Sequence, residues 1–309
     1  FFDLCPCPVF AVTGSDGKTT TTTLIAKFLE SMGKKVHLGG NIGKALLPEI
    51  ESVRPEDVAV VELSSFQLIS MRRSPVITNV APNHLDVHKN FEEYIDSKRN
   101  LYRHQNAFSR TVLNADNEIT ASMAPEVRGQ LCWFSSKGPV ERGCYLQGEE
   151  ILLCHNGKTE KVMDASDIRI PGWHNVENYM TAISATAGWV DFDNIRKIAR
   201  EFNGVEHRIE LVREKDGVKW YNDSIASSPT RTIAGLRSFK QKVILIAGGY
   251  DKKIPYAPLG PVVVEKVQAL ILMGKTADKI QQAVGHHPVG HLLGEIGPRR
   301  RQRLQQKRQ

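Results

Sequence analysis

Short apolar, β-branched runs alternate with longer stretches of helical spacing along most of the chain. Val9-Phe10-Ala11-Val12, residues 35–38, residues 58–62 (Val-Ala-Val-Val-Glu), residues 76–80 (Val-Ile-Thr-Asn-Val) and residues 111–113 read as strands. Residues 19–32, 92–104 and 175–189 are among the helices that the spacing predicts. Strands that alternate with helices imply an α/β fold, a parallel sheet with crossover helices. Residues 139–170 break the rhythm with short strand-like pieces and glycine turns, which predicts a small antiparallel excursion.

A second unit in the same βαβ style begins near Val205. It carries a hairpin-like pair at 209–213 and 218–221 around Asp216-Gly217, a helix at 229–238, the run Val243-Ile244-Leu245-Ile246 as a buried strand, and a strand at 269–273. Beyond Gly285 the pattern gives way to histidines, glycines and a basic run. The expected division is therefore 1–204, a partial second domain at 205–284, and a basic tail at 285–309 that is disordered or aberrant. The chain opens almost directly on its first strand, and the second unit stops after two or three strands. A fragment is expected.

The turn after the first strand carries the most specific chemistry. It reads Thr13-Gly14-Ser15-Asp16-Gly17-Lys18-Thr19-Thr20, between a strand and a predicted helix. Backbone N–H groups of such a turn and the helix N-terminus attract anions, Lys18 adds a mobile positive charge, and the Thr19 hydroxyl can hold Mg²⁺. A nucleotide triphosphate is the first ligand this arrangement suggests. The spacing Gly14-x-x-Gly17-Lys18-Thr19 is two residues shorter than the usual phosphate loop.

Other polar groups cluster at strand ends, where open parallel sheets bind their ligands. Glu62 ends the run 58–62 and is placed for a metal ion, and His84 follows the run 76–80 as an imidazole able to join a metal's coordination shell. Lys98, taken alone, reads as a solvated lysine on a helix. Asn175 and Asn178 stand one helical turn apart, suited either to reading a base edge or to capping. Arg208 sits at the junction of the units, where it can reach a phosphate, and Asp223 and Lys252 follow strands of the second unit.

Composition narrows the classes. With 41% hydrophobic and 24% charged residues, the 309-residue chain has a soluble globular make-up, and no apolar stretch approaches the ~20 residues of a membrane span. The net charge of +7 belongs to the end of the chain. Residues 299–309 hold six of the 41 basic residues, and the remaining 35 nearly balance 34 acids, so the body gives no reason to expect nucleic acid as a partner. Five cysteines, including the tight Cys5-Pro6-Cys7 and no C-x-x-C pair, suggest free thiols in a reducing cytoplasm.

The short loop, Gly40-Asn41-Ile42-Gly43, Glu62-Leu63-Ser64-Ser65-Phe66-Gln67-Leu68, Asn83-His84-Leu85-Asp86-Val87-His88 and His174-Asn175-Val176-Glu177-Asn178 occur in an order that resembles the Mur ligase family over about residues 1–284. Ser64-Ser65-Phe66-Gln67 favours the branch that adds D-glutamate. The resemblance implies a central P-loop ATPase-like parallel-sheet domain followed by a truncated Rossmann-like α/β domain. It implies a cytoplasmic, monomeric ATP-dependent ligase of peptidoglycan precursor synthesis that joins UDP-N-acetylmuramoyl-L-alanine to D-glutamate through an acyl phosphate, with no nucleic-acid or membrane partner. Gly14, Ser15, Asp16, Gly17, Lys18, Thr19, Thr20, Asn178, Arg208 and Asp223 would lie around ATP. Asn41, Ser64 and Gln67 would contact the muramoyl substrate. Thr19, Glu62, His84 and a carbamylated Lys98 would hold two Mg²⁺ ions. Lys18, Lys98, His84 and Lys252 would carry the catalysis.

The chain also departs from that family. Ile225 stands where a lysine is often found, Lys253 being a neighbour able to replace it, and residues 285–309 match nothing expected there. By the same resemblance, the domain that holds uridine diphosphate and the distal part of the C-terminal domain are expected to lie outside this sequence. A sibling ligase, the folylpolyglutamate synthase type, and an ATP-binding fragment without ligase activity remain as alternative readings.

Overall fold

The computed structural model describes residues 1–69, 91–103, 105–251, 254–285 and 290–292. The chain divides into two compact units, Phe1–Val205 and Glu206–Gln309.

In the first unit, β1 (Val9–Val12), α1 (Lys18–Ser31), β2 (Val36–Gly40) and β3 (Val58–Glu62) form a parallel sheet in the order β1-β3-β2, with its crossover helix. Alternate residues of these strands enter different cores, because successive side chains point to opposite faces. Phe10, Val12, Val58 and Val60 pack with Leu24 and Phe28 of α1, whereas Ala11, Ala59 and Val61 pack with Leu101 and Tyr102. Burial on both faces explains why these strands read as continuous apolar runs. The register pairs Glu62 with both Val12 and Gly40, so three strand ends meet at one edge.

Next come α2 (Ser65–Leu68), α3 (Phe91–Arg103), β4 (Arg110–Asn114), α4 (Glu118–Ala121) and β5 (Gln130–Ser135). The chain continues through β6 (Gly143–Gln147), β7 (Glu150–His155), β8 (Lys158–Asp164), α5 (Trp173–Ala185) and α6 (Phe192–Glu201). The antiparallel excursion expected at 139–170 is present as β6-β7-β8. It is not separate, however: β6 runs parallel to β5 and β5 parallel to β4, giving one five-stranded sheet. The strand expected at 76–80 lies outside the described residues.

The second unit holds the antiparallel pair β9 (Glu210–Lys215) and β10 (Val218–Asn222), then α7 (Pro229–Arg237), β11 (Val243–Gly248), α8 (Leu259–Lys266), β12 (Val267–Met273), α9 (Ala277–Val284) and β13 (Gly290–Leu292). The strands β11, β12 and β13 are parallel. The run at 243–246 is buried on one face only. Val243 and Leu245 pack against a core containing Leu236, Val263 and Leu270, while Ile244 and Ile246 are 62% and 52% exposed. β13 falls within the stretch that sequence patterning leaves to the tail. No helix among the described residues is long and apolar enough to cross a membrane.

Candidate functional site

After β1 the chain turns through residues 13–17 and enters α1 at Lys18. Gly17 is the residue before the first helical turn, with φ of 77°, a left-handed conformation that glycine adopts without strain. A Cβ there would lie 2.2 Å from Asn178 Oδ1, so close packing also demands glycine. The first turn of α1 carries no acidic residue, which leaves its N-terminal dipole uncompensated for an anion. Lys18 Nζ folds back over the turn and donates to the carbonyls of Gly14 at 2.8 Å and Ser15 at 3.0 Å. The strand, the turn and the helix start that the sequence predicts here are thus present.

Glu62 lies beside this turn at the end of β3 and is 2% exposed. Its Oε1 accepts from Asn41 Nδ2 at 3.0 Å, and its backbone carbonyl accepts from Asn41 N at 2.8 Å. Gly40 makes that approach possible, because a Cβ on it would lie 2.2 Å from the Glu62 carbonyl oxygen. Glu62 Oε2 is buried with no hydrogen-bond partner among the described residues. A buried carboxylate oxygen left without a donor is costly. A cation at Oε2 removes that cost, so the residues present fit a magnesium ion at this edge. Among the described residues no group of three or more His, Cys, Asp or Glu side chains converges on a metal position, and His84 lies outside them.

Lys98 departs from its reading as a solvated helix lysine: it is 1% exposed. Its Nζ donates to Thr13 Oγ1 at 3.4 Å, and that hydroxyl donates to the Leu63 carbonyl at 2.8 Å. Burial holds the amine well below the ordinary lysine range, the nearby charge of Lys18 pushes the same way, and Asp16 opposes them. Thr13, which the motif reading passed over, is the residue that ties Lys98 to the loop.

Ser64 and Gln67 are engaged with each other. Gln67 Oε1 accepts from Ser64 N at 2.8 Å and from Ser64 Oγ at 2.9 Å, and Ser64 Oγ accepts from Gln67 N, which makes a capping box at the start of α2. Asn178 is brought to the loop from α5, through contact with Gly17 and a 3.3 Å hydrogen bond from Thr21 Oγ1. It does not cap α5, whose helix start is at Gly172.

The remaining candidates belong to the second unit or lie outside the described residues. Asp223 accepts from Ile209 N at 3.2 Å. Burial raises its carboxyl above the usual range, against the pull of Arg208 and Arg231. Lys252 is outside the described residues, as is His84. The structure therefore brings together residues 13–20, Asn41, Glu62, Lys98 and Asn178 in one unit, and Arg208 with Asp223 in the other.

Two family profiles match, one described as the Mur ligase middle domain over residues 12–186 and one as the Mur ligase, glutamate ligase domain over residues 207–305. The second match takes in β13 and much of the basic run. The UDP-N-acetylmuramoylalanine--D-glutamate ligase of Acetivibrio thermocellus is 59% identical over 288 residues, and that of Ruminiclostridium cellulolyticum is 53% identical over 286. Each alignment covers 92% of this chain, which spans 62% of the length of these curated relatives. Among solved structures, MurF from Acinetobacter baumannii shares the fold with a TM-score of 0.74 at 18% identity, over 100% of this chain and 72% of that one. The MurF ligase of Thermotoga maritima in complex with ADP gives a TM-score of 0.68 at 17% identity, over 100% and 75%.

Proposed function

The chain belongs to the Mur ligase family, and from that premise we propose that it is part of an ATP-dependent ligase that joins D-glutamate to UDP-N-acetylmuramoyl-L-alanine. The observation that carries this reading is the 59% identity, over 92% of this chain, to a relative bearing that name. It acts as a cytoplasmic monomer on small molecules in peptidoglycan precursor synthesis, a reading that fits a charge balance in which the basic excess is confined to residues 299–309.

In this reading residues 14–20 cradle the ATP phosphates, with Lys18 turning from the Gly14 and Ser15 carbonyls to the β- and γ-phosphates. The substrate's terminal carboxylate attacks the γ-phosphorus, the bond to the bridging oxygen breaks, and acyl phosphate and ADP result. The amine of D-glutamate then attacks the acyl carbon; phosphate leaves and the amine loses a proton. Positioning and charge neutralisation do most of this work.

Lys98, whose burial disfavours the protonated amine, adds CO₂ through its unprotonated form and releases a proton to become a carbamate, which carries a negative charge. With Thr19, Glu62 and His84 it would hold magnesium, which when bound supplies positive charge to the phosphates. Asn41, Ser64 and Gln67 would contact the muramoyl substrate, Asn178 would serve the nucleotide, and Arg208, Asp223 and Lys252 would keep the roles that the family resemblance implies for them.

The test is ADP release by the protein carrying this chain, supplied with UDP-N-acetylmuramoyl-L-alanine and, in turn, D-glutamate, meso-diaminopimelate, L-lysine or, with its own acceptor, a folate. Release that depends on D-glutamate is expected. Release with another amino acid or a folate and none with D-glutamate overturns the assignment.

A further inference from the structure

We propose that Thr13 is a positioning residue for Lys98: its hydroxyl accepts from Nζ and fixes the direction in which the carbamate is built. The inference rests on the reading of Lys98 as a carbamate and adds the group that orients it.

The two residues arrive from different elements, and each is held. Lys98 lies in α3, whose Leu101 and Tyr102 are fully buried in the core that contains Ala11, Val61 and Leu63. That packing seats α3 on β1 and β3 and limits where the lysine stem can go. Thr13 follows β1 directly. Leu63 N donates to the Val12 carbonyl at 2.9 Å, and Thr13 Oγ1 donates to the Leu63 carbonyl at 2.8 Å. A side chain thus continues the pairing of β1 with β3 one step past the strand ends. Being β-branched, it is also stiff about χ1. Thr13, Leu63 and Lys98 are all buried.

A hydroxyl has one hydrogen and two lone pairs. With the hydrogen committed to Leu63, the oxygen meets Lys98 Nζ, 3.4 Å away, as an acceptor. That suits the nitrogen before and after the reaction. Burial disfavours the protonated amine and so favours a free lone pair. The lone pair attacks the carbon of CO₂, a C–O π pair moves onto oxygen, and one proton leaves the nitrogen. The carbamate nitrogen keeps one N–H and is planar, for the reason that a peptide nitrogen is. With that N–H directed at Thr13, the new carboxylate is turned away from it. Serine can supply the same acceptor, whereas valine keeps the shape and cannot.

The experiment titrates the protein carrying this chain with isotopically labelled bicarbonate, reading the carbamate carbon by NMR and ADP release in parallel. Thr13→Val is expected to need about tenfold more bicarbonate for half-maximal carbamate, the scale of one lost hydrogen bond to a buried group. Its turnover should fall and should return as bicarbonate is added. Thr13→Ser should follow the unaltered protein in both readouts. Should Thr13→Val fail to melt cooperatively, Thr13→Cys takes its place. Sulfur is a weaker acceptor, so a smaller rise in the same direction is expected.

Carbamate formation by Thr13→Val at the same bicarbonate concentration as the unaltered protein overturns the proposal. A loss of turnover that no bicarbonate concentration restores also overturns it, because Thr13 then acts on the loop and not through Lys98. An unaltered protein without any carbamate signal overturns the carbamate reading, and the inference with it. That outcome is distinct from the other two, since it shows before any variant is compared.

Discussion

Asn41 Nδ2 donates to Glu62 Oε1 at 3.0 Å, and the other oxygen of that buried carboxylate has no hydrogen-bond partner among the described residues. One oxygen is oriented so that the other is available. If Oε2 serves magnesium, Asn41→Ala leaves the metal ligand in place and frees it to rotate. The magnesium concentration for half-maximal ATP binding should then rise about tenfold, the usual scale when a partner that orients a ligand is lost. Glu62→Gln should behave differently. It removes the buried charge, so the melting temperature without magnesium should hold or rise while magnesium ceases to strengthen ATP binding. Calorimetry and thermal melts with and without the metal distinguish the two variants.

Lys98 is a buried amine whose protonation is opposed by its surroundings and by Lys18. Lys98→Met keeps the length and removes the polar head. The variant should be at least as stable as the unaltered chain and should lose ligase turnover by a factor of about a hundred or more, as expected when preorganised charge at a phosphoryl-transfer site is removed. Labelled bicarbonate should give a carbamate carbon signal in the unaltered chain and none in the variant. Full turnover by Lys98→Met would remove the residue from the mechanism.

The two kinds of site residue differ in how far the sequence revealed them. Val9–Val12 and Val58–Glu62 were readable to the residue because a strand buried on both faces must be apolar throughout. Gly17 and Lys18 were readable because a phosphate turn needs a left-handed residue followed by a helix start. The burial of Lys98 was not, since it depends on what α3 covers, and its neighbours Glu92, Glu93 and Asp96 give the helix a polar look. The same non-local dependence hid what Asn178 touches, since its partner Gly17 is far away in sequence. Ile244 and Ile246 erred in the other direction. A continuous apolar run predicts two covered faces, and only the face bearing Val243 and Leu245 is covered.

Arg110 closes the end of α5. Its Nη1 donates to the carbonyls of Ser184 at 3.4 Å, Ala185 at 3.1 Å and Ala187 at 2.8 Å, where a helix leaves acceptors unpaired and concentrates negative potential. Arg110→Ala should lower the unfolding free energy by about 1–3 kcal/mol, the range for hydrogen bonds from a charged donor. ATP affinity should not change, because the other end of α5 serves the loop. Urea titration and calorimetry on the same variant check both halves, and a drop in affinity at unchanged stability would contradict the separation.

Asp57 provides the pH dependence. Its Oδ2 lies 2.7 Å from His37 Nε2, accepts from Arg54 N at 3.0 Å and is 3.4 Å from Lys35 Nζ. The hydrogen bond with His37 contributes most, and together these partners lower the carboxyl from 3.8 to about 2 in the folded chain. A depressed carboxyl stabilises the fold at every pH above its unfolded value. As the pH falls from 3.8 towards about 2, the unfolded state takes up the proton first and that contribution is lost. Asp57→Asn cannot ionise. It should be less stable than the unaltered chain at neutral pH, and its urea midpoint should fall less steeply across the same acid window. Parallel slopes for the two proteins would show that Asp57 carries no part of the acid sensitivity.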